Sequence, residues 1–133
     1  MTDKVAIVGA GLVGRAWAIS FARGGHRVTL FDADDKAVVS ALSTIESMLR
    51  TLDLRGMLKG QTAADVRSRM TGAGSLEIAL AGATHVQENV PEDLEVKREM
   101  FAKLDAASEK NAVLASSSSG ILPSRDGSPR RPK

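Results

Sequence analysis

The chain has 133 residues and a mass of 14.0 kDa, the size of one average domain and short of the length at which a second core is expected. With 43% apolar and 26% charged residues it should fold, and with no run near ~18 apolar residues and no basic leader it carries neither membrane span nor secretory signal, so a cytoplasmic setting is expected. Zero cysteines exclude disulfides, thiol catalysis and Cys-based zinc; and because the last nine residues hold a local +3 of the net +2, residues 1–124 sum to −1, leaving no basic face for nucleic acid.

In chain order, short β-rich runs alternate with helical stretches, the pattern of a parallel sheet covered by crossover helices. Lys4 to Val8 reads as a buried strand and Leu12 to Arg23 as a helix closed by Gly24 and Gly25, which supply positive-φ positions. Arg27 to Phe31 is a second strand. From about Asp34 to Leu54, Val38, Leu42, Ile45, Leu49 and Leu52 recur at helical spacing. Gly56 and Gly60 break that pattern, and Thr62 to Arg69 reads as a short helix with Thr62 and Asp65 as a capping box. Met70 to Thr71 is a poorly marked strand, Leu76 to Leu80 one or two helical turns, and Thr84 to Glu88 the next strand. A late helix runs from about Pro91 to Ala107, with Leu94, Phe101 and Leu104 on one stripe and Glu99 and Lys103 as an i,i+4 pair. Ala112 to Ala115 is a fifth strand, and the Arg, Pro, Gly and Ser composition from Arg125 to Lys133 predicts a disordered basic tail.

Chemistry concentrates at Gly9-Ala10-Gly11-Leu12-Val13-Gly14, a G-x-G-x-x-G directly after a strand and opening a helix. The first glycine permits a tight turn, the second lets a pyrophosphate approach the backbone, and the third lets the helix pack on the strand. Unsatisfied N–H groups and the positive dipole end at the helix start would receive the phosphates. Asp32 closes the second strand 18 residues after Gly14, where a carboxylate accepts from ribose hydroxyls and repels a 2′-phosphate. With Ala33 beside it rather than Arg, the reading is NAD over NADP. The fold class is therefore α/β, a Rossmann-type parallel sheet with flanking helices. Gly14, Ala18 and Ala22 form a small-residue stripe for packing.

A base for alcohol oxidation is harder to find. His26 precedes the second strand, opposite the carboxyl edge, and His85 begins the fourth, roughly 13 Å below that edge at ~3.3 Å per residue, so both read as structural. Two separated histidines also make a metal site improbable. Ser116 to Ser119 is either a flexible linker or a row of hydroxyls at the carboxyl edge facing the nicotinamide or substrate. Alternate residues of an extended segment face opposite sides, so Ser117 and Ser119 would share one face.

These residues resemble the 3-hydroxyacyl-CoA dehydrogenases, most closely their lambda-crystallin or L-gulonate 3-dehydrogenase branch. The likeness lies in Val5 to Trp17, Phe21 to Asp32, His85 to Lys97 and Leu114 to Ser124, in family order, and extends from about residue 4 to residue 124. It implies an NAD-binding domain over residues 1–124. Leu12 and Val13 would contact the cofactor, Asp32 would hold the ribose, and Glu92 and Lys97 match cofactor-contacting positions. On the residues alone, Glu92 reads equally as helix-dipole compensation and Lys97 as a solvated side chain. Ser119 matches the serine that hydrogen-bonds the substrate's hydroxyl or keto oxygen.

The family's catalytic His, its orienting Glu and a helical domain that dimerises follow that serine, and none is present here. Arg125 to Lys133 does not resemble family sequence and reads as a frameshifted or prematurely ended tail. The resemblance thus implies the cofactor half of an oxidoreductase acting on a 3-hydroxy acid or 3-hydroxyacyl-CoA, a fatty-acid type of substrate, with NAD(H) as partner and little activity alone. The alternative is a non-catalytic NAD-binding or interaction module. An uncovered sheet edge and apolar surface predict marginal stability or self-association.

Overall fold

The computed structural model describes residues 3–89 and 94–116. Five parallel strands carry the fold: β1 (Lys4–Val8), β2 (Arg27–Phe31), β3 (Met70–Gly72), β4 (His85–Glu88) and β5 (Val113–Ser116), in spatial order β3-β2-β1-β4-β5. Five helices connect them: α1 (Leu12–Arg23), α2 (Asp35–Leu54), α3 (Ala63–Arg67), α4 (Leu76–Leu80) and α5 (Leu94–Ala107). The middle strand is β1 because Val5 to Val8 is apolar without a break, as a strand covered on both faces requires. Val5 and Ile7 enter one core with α1 and α2 residues such as Ala18, Ile45 and Leu49; Ala6 and Val8 enter the other with Leu80, Phe101 and Leu104. From β1 the chain winds outward through β2 to β3, then crosses back to β4 on the opposite side. The connection reverses between β1 and β4, and ligands of open parallel sheets bind at such a reversal, above the carboxyl ends.

Most helix ends follow the sequence reading. Asp34 caps α2 by accepting from the Lys36 N–H at 3.0 Å. Thr62 and Asp65 form a complete capping box on α3, and these bonds from Thr62 hold the Asp65 carboxyl below its usual pKa. Asp65 therefore supports the fold above the ordinary carboxylate range, and that support fades as pH falls through its lowered native value. The Lys4 ammonium donates to the carbonyls of Ile78 and Ala81 at the end of α4, at 3.2 and 2.6 Å. Partial burial, with Arg27 nearby, lowers its pKa.

Two expectations change, and a third, the poorly marked strand at Met70, holds. Gly24 has φ −75°, so only Gly25, at φ 96°, supplies the left-handed position after α1; the turn closes through the Gly24 and Gly25 N–H groups bonding to Ser20 and Ala22. Glu99 and Lys103 are both exposed and form no ion pair with each other, whereas Arg67 pairs with Glu46 at 3.2 Å. Met70 to Gly72 is a genuine edge strand, and a Cβ on Gly72 would lie 2.8 Å from a Val38 methyl of α2. Among the described residues no helix is long and apolar enough to cross a membrane, and no group of three metal-ligating side chains occurs.

Candidate cofactor-binding site

The turn between β1 and α1 is built by its glycines. Gly9 has φ 100°, and its N–H donates to the Phe31 carbonyl at 2.8 Å, tying the turn to the end of β2. A Cβ on Gly14 would stand 2.0 Å from the Gly9 carbonyl oxygen, so the close approach of α1 to the turn tolerates no side chain there. Gly11 is the opposite case: a Cβ on it would meet nothing within 4 Å. It is the N-cap of α1, no side chain caps that end and no acid stands in its first turn. The first N–H groups of the helix therefore lack a side-chain cap and have a positive dipole behind them, which is the donor set a diphosphate needs. Leu12 and Val13 project outward beside it, largely exposed.

Asp32 does more than the sequence reading assigned to it. Its Oδ2 accepts from the Ala10 N–H and its Oδ1 from the Asp34 N–H, each at 2.9 Å. The carboxylate thus braces the glycine turn against the start of α2. An ionised carboxylate offers about four acceptor sites, so two amides leave room for ribose hydroxyls on the same group. Arg15 braces the turn from the other side, donating from Nε to the Ala10 carbonyl at 3.0 Å and from a guanidinium nitrogen to Thr44 of α2 at 3.3 Å.

Two residues at the end of β4 escaped the sequence reading. The Asn89 N–H donates to Val8 at 2.8 Å, and its amide nitrogen lies 3.4 Å from the Gly9 carbonyl, so it seats β4 against the glycine turn. Glu88 is fully buried and accepts from the Ser116 hydroxyl at 2.7 Å. Like Asp32, Glu88 is an acid at the carboxyl end of a strand, but His85 and Gln87 interrupt the apolar run that marked the strand before Asp32. Both histidines sit away from that edge. His85 opens β4, against the Phe21 ring and 3.1 Å from the Gln87 side chain, while His26 precedes β2 with a buried Nδ1 that has no hydrogen-bond partner. Ser119 and Glu92 lie outside the described residues, as does the Lys97 side chain, although the Lys97 backbone belongs to α5.

A parallel sheet whose reversal point carries a glycine turn, an uncapped helix start and an acid closing the next strand is a Rossmann dinucleotide-binding domain. The chain belongs to the family described as 3-hydroxyacyl-CoA dehydrogenase, NAD binding domain, which matches residues 4–126, and NAD is the cofactor of this domain. Among curated relatives, the lambda-crystallin homolog of Bos taurus is 47% identical over 122 residues, covering 91% of this chain and 38% of that protein. The L-carnitine dehydrogenase of Streptomyces griseus is 38% identical over 117 residues, covering 88% of this chain and 34% of that protein. Of the solved structures, 3-hydroxybutyryl-CoA dehydrogenase from Escherichia coli K12 matches with a TM-score of 0.82 and 31% identity, over 91% of this chain and 25% of the other. The chain therefore spans well under half the length of these proteins.

Proposed function

We propose that residues 1–124 form the NAD-binding half of a 3-hydroxyacyl-CoA dehydrogenase-like oxidoreductase, working in the cytoplasm on the CH–OH group of a 3-hydroxy acid or 3-hydroxyacyl-CoA, with residues 125–133 a basic tail outside that domain. The observation that carries the reading is the glycine turn braced by Asp32 under an uncapped helix start. In this reading Gly9, Gly11 and Gly14 shape the phosphate cradle, Leu12 and Val13 flank the cofactor, and Asp32 receives the adenosine ribose. Glu92 and Lys97 contact the cofactor, and Ser119 holds the substrate oxygen. Bound nicotinamide would supply the hydride acceptor; the chain's own residues bind and orient.

Hydride transfer by these 133 residues alone is expected to be negligible. Neither His26 nor His85 reaches the carboxyl edge, and a general base contributes roughly 100- to 10,000-fold. The test is calorimetric titration with NADH and NADPH beside assays with L-gulonate and 3-hydroxyacyl-CoA. NADH binding without turnover supports the proposal; turnover by the purified chain overturns the inactivity, and no NADH binding overturns the whole.

Self-association is part of the same reading. Beyond Leu12 and Val13, which flank the cofactor, Ala16, Trp17 and Ser20 continue an open, mostly apolar groove along α1, and the edge strand β5 presents a 41% exposed Val113. We infer that a second copy covers this face. Sedimentation velocity should show a dimer or larger species that Ala16→Glu shifts toward monomer, because the new carboxylate would have to be buried. A monodisperse monomer of the unmodified chain overturns the inference.

A further inference from the structure

Ala10, the middle residue of the glycine turn, has no exposed surface, and side chains hold both of its backbone polar groups. Its N–H donates to Asp32, and its carbonyl accepts from the Arg15 Nε at 3.0 Å. A carbonyl sealed from water needs such a partner. The peptide joining Ala10 to Gly11 is trans, so a C=O turned toward Arg15 sends the Gly11 N–H the opposite way. Arg15 thereby fixes the direction of the amide that leads into α1. Thr44 of α2, 3.3 Å from a guanidinium nitrogen, holds the far end of the same side chain.

The charge of Arg15 points the same way. A guanidinium is not deprotonated in a protein, so the cation is permanent. In the first turn of a helix a cation opposes the dipole, where acids are ordinarily favoured, and the first turn of α1 holds no acid to offset it. The placement is unfavourable for the helix alone and favourable once an anionic diphosphate lies against that end. We propose that Arg15 is a positioning residue for the cofactor's diphosphate, aiming the Gly11 N–H through the Ala10 carbonyl and adding a fixed positive charge beside the helix start. This rests on the NAD-binding reading and extends it to a side chain outside the glycine motif.

Arg15→Met removes the charge and the donor together, whereas Arg15→Lys keeps a charge and loses the planar fork. NADH titrations with ADP and adenosine as competitors, run on the full chain, separate the diphosphate from the rest of the nucleotide. In Arg15→Met the affinities for NADH and ADP should fall about tenfold, the loss expected for one hydrogen bond to a charged group, with adenosine affinity unchanged. Arg15→Lys should regain part of the ADP affinity. Added salt should weaken ADP binding to the unmodified chain more steeply than to Arg15→Met, because screening acts on the charge that the variant lacks. Arg15→Gln, whose amide still offers a donor, gives a second charge-free form with the same ADP-to-adenosine shift should Arg15→Met not fold. A purely structural role would lower the melting temperature and all three affinities alike. That result, no gain from lysine, or undiminished NADH binding in Arg15→Met overturns the proposal while leaving the NAD-binding reading in place. Failure of the unmodified chain to bind NADH or ADP would remove that reading itself, and this inference with it.

Discussion

A methyl group at Gly14 should destabilise the fold and weaken NADH binding together, whereas the same methyl group at Gly11 should weaken binding and leave the fold standing. The two glycines differ in what surrounds them. At Gly14 the new carbon would sit 2.0 Å from the Gly9 carbonyl oxygen and 3.1 Å from its carbon, both backbone atoms that a rotamer change cannot clear. Either α1 moves off the strand or the turn opens, at a cost of about 1–3 kcal/mol, more than alanine's better helix propensity returns. At Gly11 the methyl group meets nothing and φ is −75°, so the folded chain accepts it with a stability change within about 1 kcal/mol. The open space it enters is where a diphosphate would reach the helix amides, and displacing even one such charge-assisted bond costs about 1.5–3 kcal/mol, or 10- to 150-fold in Kd. Thermal melts without cofactor and NADH titrations separate the cases. Undiminished NADH binding by Gly11→Ala would remove this residue from the phosphate path.

That contrast shows which kinds of information a linear sequence holds. The order β1, glycine turn, α1, β2 was legible because each step leaves a local mark: an apolar run, glycines at fixed offsets, an amphipathic stripe and an acid closing a strand. The function of Gly14 was legible for the same reason. Gly72 was not, because what demands a glycine there is a Val38 methyl from α2, more than thirty residues away. Its strand β3 is three residues long and hydrogen-bonds only to β2, so neither length nor alternation announced it. Asn89 and Glu88 were passed over because their partners, Val8, Gly9 and Ser116, become neighbours only when β1, β4 and β5 align. Asp32 was singled out as a ribose contact from its place after β2, yet its bonds to Ala10 and Asp34 depend on how the β1 and β2 ends meet in space. The assignments of Glu92, Lys97 and Ser119 came from likeness to a family, and the described side chains do not include them.

Asp32→Ala should cost NADH about 10- to 100-fold in affinity while costing NADPH much less, so that the preference between the two collapses. Two effects must be told apart, because this carboxylate has two jobs. Losing it strands the Ala10 and Asp34 N–H donors; water can satisfy the exposed Asp34 amide, while at buried Ala10 a donor without a partner costs about 1–3 kcal/mol. That loosening of the turn would weaken both cofactors alike, since both place the same diphosphate on α1. Only a carboxylate that also meets the ribose distinguishes them: it accepts from the hydroxyls of NADH and repels the 2′-phosphate of NADPH. Asp32→Asn sharpens the test. Both amides require an acceptor, and asparagine supplies one oxygen and one N–H₂ donor, so one bracing bond turns into a donor facing a donor. The Asn variant should therefore lose much of the bracing while also losing the repulsion, and its NADPH-to-NADH affinity ratio should rise toward that of the Ala variant. If every Asp32 variant weakens NADH and NADPH by the same factor, the residue only braces the turn, and the basis for preferring NAD lies elsewhere in the chain.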